Sequence, residues 1–107
     1  MKINITEKHG AITRIDTDVL DINSDSIQVY HNSTTGALSD GGFCLFDLDI
    51  SLGPRKRPTE RLQRVLDKYH CYLNEDGEIV QNVQKRGVID LTGYIACYKA
   101  VQELARQ

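Results

Sequence analysis

Tryptophan is absent from this chain of 107 residues, and the aromatic supply stops at five tyrosines and two phenylalanines. That scarcity argues against a surface built to stack several bases. No apolar run approaches the roughly 20 residues that span a bilayer, so no membrane partner is expected. Residues 1–7 lack an apolar signal core followed by a small-residue cleavage site. Cysteine is limited to Cys44, Cys71 and Cys97. They are odd in number, widely spaced and set among apolar neighbours, which reads as three reduced core thiols and a cytoplasmic protein. His9, His31 and His70 are scattered and no zinc-site spacing occurs. The Gly-bearing stretch 34–42 lacks the Gly-Lys-Ser/Thr pattern of a phosphate cradle. No metal or cofactor is expected.

What the chain does have is a lopsided charge distribution on a formal net charge of −2. Residues 1–52 set Lys2, Lys8 and Arg14 against eight carboxylates, a net of −5. Residues 53–107 set ten cations against seven carboxylates, a net of +3. Much of the positive charge falls in one run, 53–68. A patch of that kind on an acidic protein can steer an anionic partner.

Length and composition fit a single small domain over residues 1–107. Hydrophobic and charged contents of 40% and 26% are ordinary for a folded domain. A chain of this size buries roughly 65% of its unfolded surface, enough to fold without a metal or disulfide. Ile3 and Ile5 alternate with polar neighbours, residues 7–10 supply a turn, and residues 11–15 resume in β-branched side chains, which predicts a hairpin. Residues 19–22 predict a short extra strand. In 26–31, Ile27, Val29 and His31 share one face, with His31 a hydrogen-bonded core residue. Residues 32–42 have loop chemistry. The segment 43–52 predicts the strongest strand, with Cys44, Phe46, Leu48 and Ile50 on one face and Phe43, Leu45, Asp47 and Asp49 on the other. After Gly53-Pro54 a helix is expected, Pro58 in its first turn and Leu62, Val65, Leu66 and Tyr69 forming its buried stripe. It is expected to reach about residue 70, then a turn and a strand; a hairpin around Asp76-Gly77 is the alternative for 70–83. Residues 85–87 form another turn. A last helix, capped by Asp90 or Thr92, runs to about Arg106. The order predicts an α+β fold: a mostly antiparallel sheet of four to five strands with two helices packed on one face.

Three candidate sites emerge. Arg55, Lys56, Arg57, Arg61, Arg64 and Lys68 form a cationic partner-binding ridge, because 61, 64 and 68 step by three and four along a helix. Asp47 and Asp49, sharing a strand face, suit one divalent cation and a metal-dependent enzyme. Residues 21–25 imitate the opening of a calcium loop, yet Ser26 and Asn32 stand where a glycine and a glutamate belong, so an Asx-rich turn is expected. The last helix carries more apolar surface than one stripe, which predicts a homo-oligomer through Tyr94, Tyr98, Val101 and Leu104. With no converging catalytic set, the leading expectation is a small non-enzymatic binding or regulatory protein acting by protein–protein contact, of inhibitor, immunity or mobile-element accessory type. Nucleic-acid contact through residues 55–68 is the second reading. An enzyme centred on Asp47 and Asp49 is the third.

Overall fold

Polar–apolar alternation through the first third of the chain produces three consecutive antiparallel strands, β1 (Ile3–His9), β2 (Ile12–Leu20) and β3 (Ser26–Asn32). The structure is a computed structural model and describes residues 1–82 and 90–106. The separate strand predicted over 19–22 merges into β2, which runs on to Leu20. Between β2 and β3 the Asp21 carboxylate accepts the backbone N–H of Asn23 and Asp25 at 2.8 and 3.0 Å. Those bonds make the Asx turn expected there.

The stretch predicted as one long loop contributes a two-residue strand, β4 (Leu38–Ser39), before the chain enters its first helix. That helix, α1 (Phe43–Leu52), replaces the strand expected over the same residues. A short apolar run satisfies both periodicities, and its ends decide between them. Here the Asp40 carboxylate accepts the N–H of Gly42 and Cys44 at 3.1 and 2.8 Å, filling donors left open where a helix begins. At the other end Gly53, with φ +61°, donates back to the carbonyls of Asp49 and Ile50. Cys44, Leu45, Leu48 and Leu52 become the buried side.

Helix α2 (Thr59–Lys68) follows, with Pro58 at its N-cap, Leu62 and Leu66 buried, and Val65 and Tyr69 packed against the core, as the stripe predicted. It ends at Lys68 with Tyr69 as its C-cap, close to the expected end. His70 turns at φ +57°, and the hairpin alternative holds: β5 (Cys71–Leu73) pairs with β6 (Ile79–Gln81). Their turn is organised by Asn74, whose Oδ1 accepts the N–H of Asp76 and Glu78. The turn predicted at 85–87 lies outside the described residues. Helix α3 (Leu91–Glu103) starts where Asp90 Oδ1 accepts the Gly93 N–H at 2.8 Å, and a 3-10 turn (Leu104–Arg106) closes the chain.

The architecture is α+β; the described residues form six strands in the order β1-β2-β3-β4-β6-β5, all antiparallel, and three α-helices. The strand count exceeds the expected four to five because the expected loop and turn contribute β4 and β5, while 43–52 leaves the sheet. The third helix is the segment 43–52. Two cross-strand rows define the faces. Thr13, His31, Leu38, Gln81 and Cys71 lie in register on the inner face. Glu7, Arg14, Tyr30, Ser39, Val80 and Tyr72 lie in register on the outer one. Ile27, Val29, Leu38 and Ile79 join Leu48, Leu66, Tyr94 and Val101 of the helices in one core.

Tyr94, Tyr98, Val101 and Leu104 belong to that core and are buried. The self-association surface predicted for them is therefore corrected: α3 is the central helix, packed against both α1 and α2, and its wide apolar girth is used within the chain. Tyr94 Oη also donates to the Ile79 carbonyl at 2.6 Å.

Candidate functional site

The cationic run does not form a single ridge. Arg55 is exposed but folds back on the backbone: its guanidinium donates to the carbonyls of Leu52, Ser51 and Ala105 at 3.1, 3.4 and 3.2 Å, tying the α1–α2 connection to the end of the chain. Arg57 makes a two-pronged pair with Asp49, 2.7 and 2.6 Å, which holds the Asp49 carboxyl below its ordinary value. Lys56, Arg61, Arg64 and Lys68 remain exposed. Arg64 Nε reaches the Glu60 carbonyl at 3.5 Å, and the Lys68 ammonium stands 5.4 Å from the Tyr69 ring centre.

The paired-carboxylate site is also corrected. On a helix, positions two apart point to different sides, so Asp47 and Asp49 share no face. Asp49 turns to Arg57. Asp47 turns to a recess of about 380 Å³ bordered by Asp21, Asp25, Gln28, Phe43 and Tyr98. Partial burial there, with the charges of Asp21 and Asp25, raises the Asp47 carboxyl above its ordinary value. Among the described residues no three His, Cys, Asp or Glu side chains are grouped so as to hold a metal.

Two surfaces that sequence reasoning missed stand out instead. Phe43, Phe46, Asp47 and Ile50 follow the i, i+3, i+4, i+7 spacing of one helical stripe, and that stripe of α1 points away from the core. Phe43, Phe46 and Ile50 are 56, 62 and 64% exposed. Large apolar side chains grouped in this way mark an interaction surface more than isolated ones do. Helical spacing in 43–52 was the available signal, obscured once the segment was read as a strand.

The second surface is the outer face of the sheet, where a trough of about 450 Å³ opens between Tyr30 and Tyr72. It adjoins the first surface through Gly41. A β-carbon on Gly41 would stand 3.1 Å from the Tyr30 ring and 3.6 Å from Phe43, and Gly41 has φ +72°. Glycine is thus required twice over, for its backbone and for the rings that close on it.

The three cysteines are free and buried. Burial pushes the Cys44 thiol well up, and its Sγ lies 3.5 Å from the Tyr98 carbonyl. A hydrogen bond between the Cys71 and Cys97 thiols lowers Cys71 and raises Cys97. The imidazole of His31 sits on the inner face as expected, but its buried Nε2 has no hydrogen-bond partner among the described residues, contrary to the expected bonded core histidine. No helix among the described residues is long and apolar enough to cross a membrane. No family model, curated protein or solved structure matches the chain.

Proposed function

We propose that this protein is a small non-enzymatic binding or regulatory protein that acts by protein–protein contact, docking a cationic partner protein on the outward stripe of α1. One observation carries the reading: Phe43, Phe46 and Ile50 stand exposed in a row beside the carboxylates of Asp21, Asp25 and Asp47. Apolar anchors supply the buried centre of an interface, and the acidic rim selects a partner of opposite charge and speeds encounter. The negative potential comes from the half of the chain whose net charge is −5. Three free thiols support residence in the cytoplasm.

Affinity capture from the native cell tests this reading, comparing the wild type with the F46A/I50A variant and with D47K. The expected result is a protein partner of basic character that survives nuclease treatment, weakens with salt, and is lost from both variants. Equal capture by wild type and variants overturns it.

Nucleic-acid contact is a second reading, supported by an opening of about 350 Å³ bordered by Arg57, Arg61 and Arg64, with Lys56 and Lys68 exposed nearby. It predicts an electrophoretic shift of DNA or RNA that falls steeply with salt. The absence of any shift at low salt eliminates it.

A further inference from the structure

We infer that the trough on the open face of the sheet is a binding site for a guanidinium group, such as the side chain of an arginine presented by a peptide or protein. The register of the sheet builds the trough. Tyr30, Ser39, Val80 and Tyr72 lie side by side across four strands, a large–small–small–large profile. With strands about 4.8 Å apart, the two tyrosines stand on the order of 14 Å from each other, walls above a floor of small side chains. The β3–β4 and β5–β6 turns close the ends. Both are stiffened by asparagine: Asn32 Oδ1 accepts from Thr34 and Thr35, and Asn74 Oδ1 from Asp76 and Glu78.

Charge selects the occupant. Among the described residues the lining holds one charged side chain, Glu78, and no cation. Glu78 is positioned: its Oε2 accepts from Ser39 Oγ at 2.9 Å and from Asn74 Nδ2 at 3.2 Å. Those bonds leave Oε1 without a partner among the described residues and available to a ligand. The asparagine acceptors are already filled by the turns, so the site offers one carboxylate oxygen and two aromatic faces. A flat cation satisfies that set, since a guanidinium stacks on a tyrosine ring and donates to a carboxylate at once. The same sheet face shows the pairing within the chain. Arg14, beside Tyr30 in register, is held by Asp16 at 2.9 Å and by Glu7 at 3.7 Å, which offsets its charge next to the trough. The trough volume of about 450 Å³ exceeds one side chain and leaves room for the backbone that carries it.

This site is separate from the α1 stripe, and its test does not depend on whether a partner docks there. The probe is N-acetyl-arginine methylamide, titrated into the ¹⁵N-labelled protein and followed by amide shifts. Its neutral isostere N-acetyl-citrulline methylamide is titrated in parallel. The expected result is saturable movement of the Tyr30, Ser39, Tyr72 and Glu78 amides, with a dissociation constant in the millimolar range suited to a fragment. The citrulline probe is expected to bind about 10-fold more weakly, and E78Q to bind arginine about 10-fold more weakly, because both remove the charge-assisted bond. E78Q keeps an oxygen for Ser39 and Asn74, and Y72L alters an exposed position on an edge strand, so both variants retain the fold. Y72L is expected to weaken the arginine probe several-fold. Equal binding of the two probes, movement confined to other amides, or no movement up to roughly 100 mM arginine probe overturns the inference.

Discussion

The guanidinium of Arg57 closes on the carboxylate of Asp49 through two parallel hydrogen bonds of 2.7 and 2.6 Å. This one pair joins the end of α1 to the start of α2 and draws one member from each of two sequence candidates, the cationic run and the Asp47/Asp49 couple. Both side chains are more than a third exposed, so solvent screening limits the coupling to about 0.5–1 kcal/mol in a double-mutant cycle of D49N and R57A. The sign of its pH dependence follows from the lowered Asp49 carboxyl. Stabilisation is complete above the ordinary value of 3.8 and is lost as pH falls through the lowered folded value. Urea denaturation is expected to show a constant gap between wild type and D49N from about pH 5 upward that closes in strong acid.

Asp40 behaves in the opposite sense. It is 1% exposed, and burial raises its carboxyl although the N–H groups of Cys44, Ile79 and Gly42 pull the other way. The folded state therefore takes up the proton more readily than the unfolded chain. Between 3.8 and the raised value this group makes stability fall as pH rises. Carboxyl-carbon NMR is expected to titrate Asp40 above 3.8 and Asp49 below it. The reverse order contradicts both environments. Replacing Asp40 by asparagine sets an amide N–H₂ against one of the three N–H donors, a loss of about 2 kcal/mol read as a lower denaturation midpoint.

How far the sequence carried depends on which residues decide each element. Alternation and β-branched residues indicated β1 to β3, although β1 is exposed along its whole length and owes its place to pairing with β2. The i, i+3, i+4, i+7 stripe from Leu62 to Tyr69 indicated α2, where local pattern and burial agree. It failed at 43–52, where apolar residues occur on every side of the segment. The capping bond from Asp40 and the return of the Gly53 N–H, both contacts beyond the run itself, set helix over strand. The exposed apolar stripe is hidden in a strand reading, since Phe43, Phe46 and Ile50 share a face only on a helix. The trough was out of reach for a different reason. Tyr30, Ser39, Val80 and Tyr72 are separated in sequence and meet only through the strand order that places β6 between β4 and β5.

At the start of α3, Asp90 was one of two capping candidates, and it is the one whose side chain accepts from the helix, at Gly93 N–H. Loss of the cap in D90A is expected to cost about 1 kcal/mol, while D90S, which keeps an acceptor oxygen, is expected to cost less than half of that. Gly93 tests the same bond from the other side. A β-carbon there would fall 2.1 Å from Asp90 Oδ2, so G93A is expected to displace the cap and to destabilise despite the better helix propensity of alanine. Thermal unfolding that ranks G93A at or above the wild type refutes the cap.

Tyr94 separates the core role of α3 from the interface role its apolar surface had suggested. Its ring is fully buried and its hydroxyl donates to the Ile79 carbonyl of β6 at 2.6 Å, linking the central helix to the sheet. Removing only the hydroxyl in Y94F leaves that carbonyl acceptor buried without its partner, which is expected to lower unfolding free energy by about 1–2 kcal/mol. Because Tyr94 faces the interior of its own chain, the sedimentation coefficient of Y94F at a given concentration is expected to match the wild type. A variant of unchanged stability but altered sedimentation would return Tyr94 to an intermolecular contact, and the packing of α3 against β6 would then need a different anchor.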